Sequence, residues 1–193
     1  MKIIGLTGGI GSGKSTVSKL FEVFGIPVYI ADTESKRLTN TSLFIREKLI
    51  AKFGNSLFVD NQLDKSLLAT LIFKNEDNLR FVNSIIHPEV YKDFLSWQEK
   101  KKDIKLVAIE SAILFESGFD SFVDFKVAIS SPLEVRIQRI EERDGLSREA
   151  ILARMNNQLT EDKRNAMSDY IIFNDDKHAL ISQVENMIHT LNS

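Results

Sequence analysis

Cysteine is absent from the 193 residues of this chain. Its absence excludes disulfide bonds, thiolate metal sites and thiol nucleophiles, and is compatible with a reducing compartment. An excess of charge is absent as well, because 25 basic side chains stand against 27 acidic ones. No global electrostatic field therefore draws the protein to nucleic acid or to an anionic membrane, and any recognition by charge must be local.

Long apolar segments are also missing. The apolar start of the chain, residues 1–6, runs directly into glycines and is too short for a signal peptide or a membrane span. We therefore expect a soluble, cytoplasmic protein with no nucleic-acid or membrane partner. A hydrophobic content of 43% over this length suits one compact unit with inserted lobes, and it leaves open a monomer or a small homo-oligomer.

Short apolar runs rich in β-branched residues are predicted strands, at residues 2–7, 27–31, 105–109, 124–129 and 169–173. The stretches between them have helical spacing and few glycines or prolines, which favours alternating β and α units over a parallel sheet. Ligands of such sheets bind at the carboxyl ends of the strands. The residues to inspect at those ends are Gly8 onward, Asp32, Glu110 and Ser130.

Two connections are longer than one crossover helix requires. Residues 33–103 predict a helical insertion whose helices include 67–73 and 79–97. Residues 132–165 predict a small lid, which carries six of the nine arginines in the chain. The remaining core comprises about residues 1–32, 104–131 and 166–193.

The segment from Gly8 to Ser15 fits the pattern Gly-x4-Gly-Lys-Ser/Thr and lies between a predicted strand and an amphipathic helix starting near Lys14. Glycines let such a loop wrap a phosphate and aim successive amides at it beside a helix amino terminus. Lys14 would reach the β and γ phosphates, Ser15 would ligate Mg2+, and Thr16 would contact the α phosphate. The alternative is a glycine-rich hairpin or cap that binds nothing. The candidate ATP-binding residues of the loop are Gly9, Gly11, Ser12, Gly13, Lys14, Ser15 and Thr16.

This loop predicts an α/β, three-layer P-loop NTPase fold with a five-stranded parallel sheet, but it does not fix the reaction. The strings Asp-x-x-Gly and Asn-Lys-x-Asp, typical of GTPases, do not occur in the sequence. A mechanical or DNA-acting ATPase usually has additional domains, for which this length leaves little room. Phosphoryl transfer to a small acceptor remains, with a non-catalytic nucleotide-binding regulator as the alternative.

The predicted lid contains a regular pattern over residues 133–143. A helix there would place apolar side chains on one stripe and arginines along an adjacent face. Guanidinium groups suit phosphate oxygens, so this face could close on ATP and exclude water. The alternative is a surface helix with salt bridges. The apolar positions are Leu133, Ile137 and Ile140, and the arginines are Arg136, Arg139 and Arg143.

Two carboxylates follow predicted strands. Asp32 is a candidate general base that would accept or orient the proton of an acceptor hydroxyl, and the competing interpretation is an N-cap for a helix starting near Thr33. Glu110 could hold a magnesium-bound water, and the competing interpretation is a partner for a nearby basic side chain.

Over nearly the whole chain, the order of these motifs resembles the dephospho-coenzyme A kinases. The similar segments are Thr7 to Thr16, Ala31-Asp32, Leu63-Asp64, His87-Pro88, Leu114-Phe115-Glu116, Gln138-Arg139 to Arg143, Arg154 with Gln158, Lys163, and Asp169 to Asn174. The resemblance implies transfer of the ATP γ phosphate to the ribose 3′-hydroxyl of dephospho-coenzyme A. A kinase for another small acceptor, such as a nucleoside monophosphate, remains an alternative.

The same resemblance implies roles for individual residues. Asp32 would be the base, Lys14, Arg139 and Arg143 would act on the transferred phosphate, and Asn174 would join Arg139 at ATP. His87 taken alone is more typical of a helix break or a cap. The implied acceptor-binding residues are Asp32, Lys65, His87, Pro88, Leu114, Phe115, Glu116, Arg154 and Gln158.

The chain departs from the family pattern at four positions. Ile30 stands where a second Asp is frequent, Glu110 where Asp is usual, and Ala112 where Pro is usual. Lys65 stands where Arg is usual, which keeps the charge but loses the bidentate geometry of a guanidinium. The phosphate loop, Asp32 and the lid arginines are not affected.

Overall fold

The computed structural model describes residues 1–60, 62–73 and 75–192. Its strands are β1 (Lys2–Gly8), β2 (Val28–Ile30), β3 (Phe58–Val59), β4 (Gln62–Leu63), β5 (Leu106–Glu110), β6 (Phe125–Ser130) and β7 (Tyr170–Phe173). Its α-helices are α1 (Lys14–Val23), α2 (Ala31–Thr41), α3 (Leu43–Phe53), α4 (Lys65–Phe73), α5 (Glu76–Glu99), α6 (Leu133–Asp144), α7 (Arg148–Met155), α8 (Glu161–Ala166) and α9 (Leu180–Asn192). Short 3-10 helices lie at Asn55–Leu57 and Phe119–Phe122.

The chain divides into two compact units, Met1–Ile30 with Lys102–Ser193, and Ala31–Lys101. The first unit contains a five-stranded sheet in the order β2-β5-β1-β6-β7, with every neighbouring pair parallel. The predicted parallel α/β fold is thereby confirmed. The second predicted strand is shorter than expected, because the helix α2 already begins at Ala31.

The core of the first unit lies between the sheet and the helices α1 and α9. Fully buried residues of the central strands, among them Ile4 and Val127, contact Val17 and Phe21 of α1. The apolar residues of α9 recur at helical spacing and complete this cluster: Val184, Met187 and Leu191. Because β1 is central and buried, the loop that follows it starts from a fixed position.

The second unit is mostly helical, and α5 packs against α2, α3 and α4. The helices predicted at 67–73 and 79–97 lie within α4 and α5. An antiparallel pair, β3 with β4, was not expected in this insertion. Pro88 lies inside α5 without ending it, so the helix break considered for His87 is wrong.

The apolar stripe predicted for α6 is only partly buried. Ile137 and Ile140 are buried in a small cluster with Ile151 of α7, whereas Leu133 is 47% exposed. Leu133 lies in the first turn of α6, outside the part of the helix that this cluster covers. Within the described ranges 1–60, 62–73 and 75–192, no helix has the length and apolar composition needed to cross a bilayer.

Candidate active site

The loop between β1 and α1 is shaped by its glycines. Gly11 and Gly13 have φ of 80° and 92°, a region that side chains with a Cβ rarely adopt. A Cβ on Gly13 would also lie 2.1 Å from Nδ2 of Asn174. The Ser12 amide donates to the Gly9 carbonyl oxygen, and the Thr16 amide donates to that of Gly13, which begins α1. The loop is therefore wound tightly at the amino terminus of a helix, as phosphate binding requires.

Lys14 lies back over this loop. Its Nζ donates to the Gly8 carbonyl oxygen at 3.0 Å, and its side chain is half-buried. Ser15 and Thr16, in the first turn of α1, are exposed. The ammonium group and the two hydroxyl groups thus belong to the same short segment.

A buried hydrogen bond joins α1 to the end of β5. The Ser18 hydroxyl donates to Oε2 of Glu110 at 2.6 Å, and both side chains are buried. The partner observed for Glu110 is therefore a hydroxyl group, whereas the competing interpretation from the sequence was a basic side chain. Ser15 lies three residues before Ser18, on the same face of α1. That spacing was the available signal for Ser18, which the sequence reasoning missed.

Asn174, directly after β7, lies against the phosphate loop. Its Nδ2 donates to the Ser12 carbonyl oxygen at 2.8 Å. The Arg139 guanidinium donates to the Asn174 carbonyl oxygen at 3.3 Å and to Asp176 at 3.0 Å. The structure thus brings Gly13, Arg139 and Asn174 together. Their role at ATP stays a prediction.

The lid arginines do not form one cationic face, contrary to the prediction, because each pairs with a different carboxylate. Arg136 turns inward, is 7% exposed, and pairs with Glu161. Arg143 is exposed and makes two hydrogen bonds to Asp144, at 2.7 and 2.8 Å. These hydrogen bonds lower the pKa of the Asp144 carboxyl group.

Several implied acceptor residues lie in the first unit. Leu114 is fully buried against Gly5, so its side chain supports the segment after β5 and presents no surface to a ligand. Phe115 is half-buried. Glu116 accepts a hydrogen bond from the Leu159 amide at 3.0 Å. Two others come from the segment predicted as a lid: Arg154, exposed in the last turn of α7, and Gln158, whose Oε1 accepts from the Ile10 amide at 2.9 Å.

The other implied residues belong to the second unit. Asp32 is half-buried in the first turn of α2. It is the second residue of that helix, so the competing interpretation of Asp32 as an N-cap for a helix starting near Thr33 is wrong. Lys65 is exposed at the start of α4, and Pro88 is exposed within α5. His87 is half-buried there, and burial lowers its pKa, which favours the neutral imidazole.

Comparisons with known proteins identify one family. A sequence model of the dephospho-CoA kinase family matches residues 2–179. The curated dephospho-CoA kinase of Bacteroides fragilis (strain YCH46) is 43% identical over 185 residues, 96% of this chain and 90% of the relative.

Two solved structures are also similar. The protein TT1252 from Thermus thermophilus has a TM-score of 0.87 and 31% identity, covering 100% of this chain and 98% of its own. The dephospho-CoA kinase from Campylobacter jejuni has a TM-score of 0.71 and 25% identity, covering 99% and 98%. With its phosphate loop and this similarity along nearly all of its length, the chain belongs to the dephospho-CoA kinase family and is a transferase.

Proposed function

We propose that this protein transfers the γ phosphate of ATP to the ribose 3′-hydroxyl of dephospho-CoA, giving CoA and ADP, in the final step of CoA biosynthesis. The observation that carries the proposal is the loop from Gly8 to Ser15, wound at the start of α1 in a member of the dephospho-CoA kinase family. Its donor would be ATP, and its acceptor a small molecule.

On the donor side, the loop amides and Lys14 would hold the triphosphate. Gly9, Gly11, Ser12 and Gly13 supply the backbone, and Thr16 would reach the α phosphate. Arg139 and Asn174 lie at the edge of this loop, and Nη1 of Arg139 donates to the Asn174 carbonyl oxygen at 3.3 Å. That position supports a role for Arg139 at the nucleotide.

The residues beside the loop fit a magnesium ion. Mg2+ prefers hard oxygen ligands, and the Ser15 hydroxyl and the Glu110 carboxylate are of that kind. The hydrogen bond from Ser18 holds Glu110 in a fixed orientation, so Glu110 is suited to hold a metal-bound water. When bound with ATP, Mg2+ would neutralise charge on the β and γ phosphates.

On the acceptor side, Asp32 would act as the base. It would accept, or at least orient, the proton of the 3′-hydroxyl as that oxygen attacks the γ phosphorus. The helical insertion, residues 33–103, would bind the acceptor through Lys65, His87 and Pro88. Residues 132–165 would form the lid, with Arg139 and Arg143 stabilising the transferred group.

Other acceptor contacts would come from Phe115, Glu116 and Arg154. Gln158, to which the resemblance gave the same role, accepts a hydrogen bond from the Ile10 amide instead. The buried side chain of Leu114 would anchor the segment after β5 to the core. A cytoplasmic location, the absence of nucleic-acid and membrane partners, and a monomeric or small homo-oligomeric state remain predictions from the sequence.

The test is an ADP-release assay with dephospho-CoA, AMP and UMP as rival acceptors. Of the three acceptors, we expect only dephospho-CoA to support turnover. In the Asp32→Asn variant, kcat should fall by about 100-fold or more, the usual contribution of a positioned base, while MgATP still binds in calorimetry. Asp103→Asn, at an exposed acidic position, is the matched control and should retain wild-type turnover.

Two outcomes contradict this proposal. Faster turnover with AMP or UMP would indicate a nucleoside monophosphate kinase. Tight MgATP binding that no acceptor converts into turnover would indicate a nucleotide-binding regulator. A wild-type rate in Asp32→Asn would contradict the assignment of Asp32 as the base and would leave the proposed reaction unaffected.

A further inference from the structure

Ile10 lies in the middle of the phosphate loop. Its amide, its carbonyl oxygen and its side chain all contact residues of the predicted lid, 132–165. Its amide donates to Oε1 of Gln158 at 2.9 Å. Its carbonyl oxygen accepts from Nε of Arg136, also at 2.9 Å. Its half-buried side chain packs on the cluster that contains Ile137 and Ile151. A loop residue with both backbone groups bonded to side chains has little freedom to rotate.

Arg136 is itself fixed at a second point. Its Nη1 donates to Oε2 of Glu161 at 3.2 Å, and the other oxygen of Glu161 accepts from the Ser130 hydroxyl. The guanidinium lies directly against Gly9, where a Cβ would be 2.3 Å from Nη2. The fork of the guanidinium therefore bridges the phosphate loop and the start of α8.

Gln158 is presented to the loop from a backbone that is also held. It lies between α7 and α8, next to Leu159, whose amide donates to Glu116 at 3.0 Å. The Leu159 carbonyl oxygen accepts from Nη2 of the buried Arg164 at 2.7 Å. These bonds fix residues 158–159 relative to the segment after β5, and so fix where Oε1 of Gln158 lies.

These contacts determine which amides of the loop can turn toward an anion. The Ile10 amide is engaged by Gln158, and the positive φ of Gly11 follows directly. The direction of the backbone is thereby set just before the segment that leads into Lys14. We infer that Gln158 and Arg136 are positioning residues for ATP, which act through Ile10 to hold the phosphate loop in its binding conformation.

The expected change in KM rests on the proposed kinase reaction. The expected change in hydrogen exchange of the Ile10 amide does not rest on it. The positioning role differs from the acceptor contact that the resemblance implied for Gln158. A positioning role requires that residue 158 has an oxygen that accepts the hydrogen bond from the Ile10 amide, and its loss would weaken the binding of ATP. An acceptor contact would act on dephospho-CoA.

The experiment compares Gln158→Met, which keeps the length of the side chain and removes the oxygen, with Gln158→Glu, which keeps an acceptor oxygen. Gln138→Met is the matched control, because Gln138 is exposed on α6 and donates to Glu142. Amide hydrogen exchange of Ile10 is followed by NMR in the nucleotide-free protein. KM values are then measured separately for ATP and for dephospho-CoA.

In Gln158→Met we expect exchange of the Ile10 amide to be about tenfold faster, as loss of one hydrogen bond predicts. KM for ATP should rise about fivefold to tenfold, while KM for dephospho-CoA stays the same. Gln158→Glu should keep the slow exchange of the Ile10 amide. Gln138→Met should resemble the wild type in every measurement.

Unchanged exchange of the Ile10 amide in Gln158→Met would overturn the inference, and so would a rise confined to KM for dephospho-CoA. If Gln158→Met does not fold, Gln158→Ala provides the same comparison. A wild-type protein that phosphorylates no acceptor would contradict the proposed function alone, since exchange is measured without substrates.

Discussion

The glycines of the phosphate loop are required for different reasons. Gly13 needs its positive φ, and Nδ2 of Asn174 occupies the place of a Cβ. Gly9 is not among the residues with positive φ, so its backbone would accept a side chain, but the Arg136 guanidinium fills that position. The requirement for glycine at residue 9 therefore comes from a residue of α6.

This difference gives a prediction for Gly9→Ala. The added methyl group would displace the Arg136 guanidinium from Ile10 and Glu161, and should lower the free energy of unfolding by about 1–3 kcal/mol. In an Arg136→Met background the same change should cost much less, because the obstructing group is gone. Urea unfolding of the four proteins measures both costs, and additive effects would contradict the explanation.

Gly25→Ala is the control for backbone strain. Gly25 has φ of 77°, and a Cβ there would meet nothing within 4 Å. Its replacement should cost about 1 kcal/mol from conformation alone, and Arg136→Met should not change that cost.

For single residues, a sequence motif predicts the position of a side chain along the chain but does not predict which partner that side chain contacts. Lys14, Ser15 and Asn174 could be placed because a motif or a strand end determines their position. Arg136 and Gln158 could not be assigned to Ile10, because neither spacing along a helix nor position in a connecting loop says which of several possible partners a long side chain reaches.

Among the elements, the five strands of the parallel sheet were predicted to within one residue at each end. Strands buried on both faces of a parallel sheet require continuous runs of apolar, β-branched residues, and such runs can be recognised in the sequence. The pair β3 and β4 was missed because strands of two residues each carry no periodicity. The start of α2 was misplaced because Ala31 is apolar and suits either a strand end or a helix.

The helix α4 depends on its cap. It has nine residues, and the amides of Ser66 and Leu67 both donate to Oδ1 of Asp64, at 3.0 and 2.9 Å. A helix of this length is not stable by propensity alone. We expect Asp64→Ala to lower the free energy of unfolding by about 1 kcal/mol.

Asp64→Asn is the matched variant, because it keeps the acceptor oxygen and removes the charge. It should cost only a few tenths of a kcal/mol, through the lost attraction to the helix amino terminus. Equal losses in the two variants, measured by urea unfolding, would show that charge and not capping is what Asp64 supplies.

For the whole molecule, the first unit is assembled from segments far apart in the sequence. Residues 1–30 supply the central strand and the phosphate loop, while residues 102–193 supply the flanking strands β5 and β6 and the helices α6 to α8. The sequence predicted the parallel α/β fold because a β-strand that leads into a glycine-rich loop and a helix is a strong combined signal. The positions of α6 and α7 depend on packing at Ile10 and Ile137, which no local pattern specifies.

A ligand that binds only the folded loop should stabilise the protein according to its concentration. At 100 times its Kd, MgATP should raise the free energy of unfolding by about 2.7 kcal/mol, and the Tm should continue to rise with further ATP. Lys14→Met should have nearly the wild-type Tm without nucleotide, since Lys14 is half-buried and donates to the Gly8 carbonyl oxygen of its own loop. It should lose most of the stabilisation by MgATP, because the ammonium that balances the phosphates is gone. Thermal unfolding over a series of MgATP concentrations measures both quantities, and an equal Tm rise in the two proteins would place the nucleotide somewhere other than this loop.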